Sequence, residues 1–132
     1  MTPFLFVYGT LQPDAESKLG LCERRMLQSE GIFLGPASTC GALLDLGDYP
    51  GLMQGPDLVH GAVYRLSDPD MTLKWLDAYE GITIDRPNEY RRLERQVMLV
   101  GGQLLNAWTY VFIGNSYGLC KIASGRWQHR LD

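Results

Sequence analysis

The chain is poor in the residues from which several common functional sites are built. It has two histidines, His60 and His129, which argues against a multi-histidine metal centre. Its three cysteines, Cys22, Cys40 and Cys120, are odd in number and widely spaced, with no Cys-x-x-Cys pair. That excludes a disulfide framework, and the expectation is reduced, buried thiols in a cytoplasmic protein. Nothing in the spacing joins a cysteine to either histidine for nucleophilic catalysis. Positive charge is also thin, with 12 Lys and Arg against 15 Asp and Glu and a net charge of −3. No basic cluster is longer than the pairs Arg24 with Arg25 and Arg91 with Arg92. Nucleic-acid binding needs a concentrated basic face, so no nucleic-acid partner is expected. Apolar runs fall far short of a membrane span and no charged-then-apolar leader precedes Phe4, so no membrane partner is expected either. The GxxxxGK[ST] phosphate loop is absent, as are repeats and low-complexity stretches.

What is present is enough apolar residue, 45% of 132, for one globular domain with a core, residues 1–132. Apolar and alternating runs read as strands at about 4–8, 31–35, 40–46, 58–66, 90–100 and 103–113, and as helices at about 14–29 and 69–80. Gly101 and Gly102 read as a two-residue hairpin, because glycine takes positive φ without steric cost. The Gly and Pro content of "GDYPGLMQGP", from Gly47 to Pro56, reads as a loop. The βαβ alternation of a doubly wound sheet is missing. With two helices to cover six strands, the sheet is expected to close on itself into a small barrel of the α+β class.

The second helix carries an anomaly. Ser67 or Asp68 can cap it, Pro69 suits its first turn, Asp70 complements its positive end and Gly81 ends it. Leu73, Leu76 and Glu80 recur at i, i+3 and i+7, so a buried leucine face turns Glu80 inward at the last turn. Lys or Arg is preferred there. Burial and the negative helix end both raise the pKa of a carboxyl, from about 4.3 to about 6, where a group can take and return a proton. The spacing equally admits an exposed Glu80 on a frayed helix end.

Other residues leave two readings open. Tyr90 and Arg92 share a strand face and either recognise a carboxylate or form a solvated strand start. Tyr110 reads more readily as core, and Asp45 as a cap on the turn at Gly47. The first strand, "FLFV", stops at Tyr8, Gly9, Thr10 and Leu11 with no Asn, Asp or Pro at the corner, unlike an ordinary reversal.

At these residues the chain resembles the γ-glutamyl cyclotransferase-like proteins, from about Phe4 to Trp127. The opening "YGTL" (Tyr8 to Leu11) is followed in the family's order by "LGDYPG", "GAVYRL", "LDAYEG", "YRR" and "SGRW". Arg126 departs from the pattern, since many members have an acidic residue before the tryptophan. The resemblance implies a small closed six-stranded mixed β-barrel with flanking helices, a pocket built from the loop after the first strand, and Glu80 as the catalytic acid. In that loop Gly9 would let backbone N–H groups converge on a γ-glutamyl group. The implied substrate-binding set is Tyr8, Gly9, Thr10 and Leu11, with Tyr49, Pro50, Gly51, Tyr90, Arg92 and Tyr110. The implied reaction is a metal-independent intramolecular acyl transfer on a small γ-glutamyl substrate, releasing 5-oxoproline and an amine, with no cofactor. The chain is then expected to be a monomer or weak homodimer. The alternative is a non-catalytic sensor or carrier that uses the same pocket.

Overall fold

Residues Phe4–Val7 form strand β1, and Leu5, Phe6 and Val7 are all buried. Their side chains alternate, with Leu5 and Val7 in one apolar cluster and Phe6 and Tyr8 in the other. A strand covered on both faces has no polar side, which accounts for its uninterrupted hydrophobic sequence. This computed structural model describes residues 2–83 and 88–129. After β1 come α1 (Leu21–Glu30), β2 (Gly31–Asp45), β3 (Pro50–Leu66), α2 (Pro69–Tyr79), β4 (Tyr90–Leu99), β5 (Leu104–Phe112) and β6 (Cys120–Lys121).

The strands close into a ring. β1 runs antiparallel to β3 and parallel to β5, β3 and β4 are antiparallel to β2, and β4 is antiparallel to β5. The fold is therefore a closed five-stranded mixed barrel, with β6 added on the end of β2 through Leu44 opposite Lys121 and Asp45 opposite Cys120. The expected closed barrel is present, with five strands in the closed ring and the sixth added outside it, and the strands are composed differently. The segments 31–35 and 40–46 are one continuous strand, bent by irregularities at Phe33/Gly35 and Gly41/Ala42. A bulged strand can bend to pair with different neighbours along its length, and β2 pairs with β3, β4 and β6.

The supposed loop from Gly47 to Pro56 is mostly strand, since β3 begins at Pro50 and pairs there with Asp45. Gly51 and Gly55 serve close approach, whereas Gly47 sits in the turn at positive φ. A Cβ on Gly51 would lie 2.8 Å from the Phe112 Cβ, and one on Gly55 2.8 Å from the Ala42 Cβ. Asp45 does cap the remaining turn, accepting from the Gly47 N–H at 2.8 Å. The β4–β5 connection has one residue more than expected. Leu99 N–H donates to the Gln103 carbonyl, so Val100, Gly101 and Gly102 form the loop, with both glycines at positive φ. Helix α1 starts at Leu21 rather than near residue 14, after Gly20 takes a left-handed conformation that a helix cannot continue through. Cys22, Cys40 and Cys120 are free but exposed, which corrects the expectation of burial.

Helix α2 matches its sequence signals closely. Asp68 accepts from the Met71 N–H at 3.3 Å, Pro69 opens the first turn, and Leu73 and Leu76 are buried. Gly81, at φ 75°, places its N–H on the Ala78 carbonyl while Ile82 N–H reaches the Asp77 carbonyl. This is a Schellman ending, which needs a residue that accepts positive φ. Glu30 ties the two helices together, accepting from Thr72 Oγ1 at 2.6 Å and Trp75 Nε1 at 3.0 Å.

Gly61 sets how closely β1 can approach. A Cβ there would lie 2.2 Å from the Val7 carbonyl oxygen and 2.9 Å from the Phe6 ring. Gly61→Ala must push β1 off β3, and urea unfolding is expected to show a loss of about 3 kcal/mol.

Candidate active site

A cavity of about 470 Å³ opens between the chain leaving β1 and the C-terminal end of α2. Tyr8, Gly9, Thr10 and Leu11 line it from one side, Leu76, Tyr79 and Glu80 from the other, and Tyr49, Pro50, Glu89, Tyr90 and Tyr110 complete the wall. Most of the residues singled out in the sequence thus come together. Two do not. Gly51 is packed against Phe112 and Leu46, and Arg92 is turned to α2 instead of the cavity.

Glu80 is the chemically distinctive group. It follows α2 as its C-cap, and the spacing from Leu73 and Leu76 carries its side chain to the cavity, as the heptad position implies. Among the described residues no donor hydrogen-bonds its carboxyl. Burial pushes its pKa from the ordinary 4.5 up to about 7, with a further contribution from the Asp77 carboxylate one turn earlier. The expected burial accounts for the direction, whereas Asp77 as second contributor is visible only in the structure.

Asp77 is held in turn by a network that sequence reasoning missed. Arg92 grips it with two hydrogen bonds, Nε to Oδ1 at 2.8 Å and Nη2 to Oδ2 at 3.2 Å. Tyr110 donates its hydroxyl to Oδ1 at 2.6 Å, and the Arg92 guanidinium lies 4.5 Å from the centre of the Trp108 ring. Arg92 is therefore a support for the wall and not a carboxylate receptor. The signal for the pairing is faint, because Asp77 and Arg92 are neighbours only once α2 packs across β4.

The tyrosines act as scaffold with their hydroxyls occupied. Tyr8 donates to the Tyr110 carbonyl and accepts from the Leu52 N–H at 3.1 Å. Tyr90 donates to the Pro50 carbonyl at 2.6 Å. Burial raises the pKa of both, so they stay protonated at neutral pH.

The 9–11 segment supplies the complementary feature. The Gly9 carbonyl accepts from the N–H and the Nε2 of Gln12, each at 3.2 Å, and the Thr10 carbonyl accepts from Arg24 Nη1 at 2.7 Å. Among the described residues the N–H groups of Gly9, Thr10 and Leu11 have no acceptor. Gly9 is not at positive φ; its requirement is steric, since a Cβ would sit 2.8 Å from the Pro50 ring. The missing side chain of Gly9 makes room for Pro50 in the wall. No group of three or more His, Cys, Asp or Glu among the described residues is placed to hold a metal ion. No helix among them is long and apolar enough to cross a membrane.

The family model described as γ-glutamyl cyclotransferase, AIG2-like, matches residues 5–129. The chain belongs to that family. It is 35% identical over 127 residues to the γ-glutamylcyclotransferase family protein ytfP of Citrobacter rodentium, covering 96% of each chain. Its fold is similar to the solution structure of Escherichia coli ytfP, with a TM-score of 0.67, 35% identity, and 98% and 99% of the two chains covered. It is also similar in fold to a mouse AIG2-like protein, with a TM-score of 0.66, 24% identity, and 87% and 80% covered.

A carboxyl whose folded pKa exceeds its unfolded value stabilises the fold below the unfolded pKa, and that contribution is lost as pH rises through the folded one. Between pH 4.5 and about 7 the folded protein binds a proton that the unfolded chain has released, so Glu80 weakens the fold as pH rises. Glu80→Gln, which cannot ionise, is expected to be more stable than wild type at pH 8 by about 2 kcal/mol, allowing for partial solvent screening. Thermal unfolding at pH 8 and pH 5 checks this, because the difference should shrink at the lower pH.

Proposed function

We propose that the protein cyclises the γ-glutamyl group of a γ-glutamyl amine or γ-glutamyl amino acid, releasing 5-oxoproline and the free amine. The substrate's α-nitrogen forms a bond to its own γ-carbonyl carbon, and the bond from that carbon to the leaving nitrogen breaks. Because the nucleophile is tethered, a cavity that folds the substrate into a near-attack geometry supplies much of the acceleration. Glu80 takes one proton from the α-ammonium to free the attacking amine and returns it to the leaving nitrogen. The second proton that the α-nitrogen sheds on ring closure also passes to the departing amine, which leaves as an ammonium. The N–H groups of Gly9 to Leu11 receive the charge developing on the carbonyl oxygen. The observation that carries this reading is one cavity lined both by the Gly9–Leu11 segment and by a carboxyl that, among the described residues, is free of hydrogen bonds and has its pKa pushed up to about 7. Membership in the γ-glutamyl cyclotransferase, AIG2-like family supports the reaction class.

A panel of γ-glutamyl compounds, read for 5-oxoproline by mass spectrometry, tests the reaction. Glu80→Gln should lower turnover by about 10²–10⁴ while a γ-glutamyl ligand still binds. In wild type, kcat/KM should rise with pH through about 7, because Glu80 must start ionised, and that limb should vanish in the variant. Wild-type turnover in Glu80→Gln would remove Glu80 from the mechanism. Saturable binding with no turnover at any pH would make the protein a non-catalytic binder.

A further inference from the structure

Arg24 is a buried cation that forms no salt bridge among the described residues. It lies on the inward face of α1 with Leu27, three residues on, and is 6% exposed. Among the described residues it forms no ion pair, and its guanidinium hydrogen-bonds two backbone carbonyls, Thr10 at 2.7 Å and Ser17 at 3.0 Å. Burying a cation without a counter-charge is costly. If only a loop tether were needed, a neutral donor would meet it at lower cost. The spacing Leu21, Arg24, Leu27 marks the position as part of the helix's apolar stripe.

The consequence follows from peptide geometry. A trans peptide is planar, with its C=O and N–H pointing in opposite directions. Fixing the Thr10 carbonyl toward Arg24, which does not line the cavity, therefore fixes the Leu11 N–H in the opposite direction. A charge-assisted hydrogen bond on the carbonyl also polarises the peptide and strengthens its N–H as a donor. Gln12 holds the preceding peptide through the Gly9 carbonyl by a neutral bond, so the charged bond falls on Thr10–Leu11 alone.

We propose that Arg24, outside the cavity, is a positioning residue that aims and polarises the Thr10–Leu11 peptide so that its N–H meets the developing oxyanion. The inference rests on the cyclisation reading above. Because the charge matters most when the carbonyl oxygen becomes negative, Arg24 acts on the transition state more than on substrate binding.

The test compares wild type, Arg24→Lys and Arg24→Met by steady-state kinetics, thermal unfolding and amide NMR without ligand. Arg24→Lys keeps a cation but loses the planar fork. It is expected to fold, with kcat down about tenfold to a hundredfold and KM within about threefold of wild type. Arg24→Met should lose more kcat, and the pH limb near 7 should stay in place in both, since Glu80 is untouched. The Leu11 amide proton should move upfield in both variants as the peptide loses polarisation. Folded Arg24→Lys with wild-type kcat, a loss confined to KM, or an unmoved Leu11 amide would each overturn the proposal. If Arg24→Met fails to fold, Arg24→Lys alone decides. If wild type turns over no γ-glutamyl compound, the cyclisation reading fails by itself, and the amide shift still decides whether Arg24 governs that peptide.

Discussion

Strand β1 is four residues long, yet the closure of the barrel passes through it, antiparallel to β3 on one side and parallel to β5 on the other. A strand held on both edges and covered on both faces leaves the chain little freedom at the point where it exits. The segment Tyr8 to Leu11 therefore emerges in a fixed direction, directly beside the strands that contribute Tyr90 and Tyr110. Gly61 makes this possible by letting the Val7 carbonyl approach where a side chain would stand. The cavity is in this sense a by-product of barrel closure.

Two charges in this protein sit where solvation alone would not put them, and they flank the same space. Glu80 ends α2 with no donor at its carboxyl among the described residues, and Arg24 on α1 has carbonyls for partners. Each costs stability in isolation. Their neighbours limit the cost without neutralising them: Asp77 is fully engaged by Arg92 and Tyr110, and the Arg24 fork satisfies two carbonyls at once. Such tension between fold and site is characteristic of groups retained for chemistry rather than for stability.

The tyrosines illustrate why residue type alone misleads. Tyr8, Tyr90 and Tyr110 all line the cavity, but each hydroxyl is spent on another wall element, on backbone carbonyls or on Asp77. Their rings shape the space beside Glu80, while their oxygens hold β1, the start of β3 and α2 in register around it. Arg92, which the strand pattern placed beside Tyr90, belongs to the same supporting set through Asp77 and Trp108.

The sequence by itself determined the parts governed by local chemistry. The limits of α2, from its Asp68 cap to its Gly81 ending, follow from capping rules, while 3.6-residue periodicity offered an inward Glu80 as one of two readings that the structure then decided. The motifs from "YGTL" to "SGRW" identified the family, and the absence of βαβ alternation with too few helices pointed to a closed barrel. The tertiary structure alone decided where strands merge and bend, because Gly51, Gly55 and Gly61 are there for distant neighbours and not for local turns. It also decided that Gly51 and Arg92 lie off the cavity, and that Arg24 and Asp77 stand behind it. Those roles depend on contacts across 14 positions for Arg24 with Thr10 and 15 for Arg92 with Asp77, which no local pattern encodes.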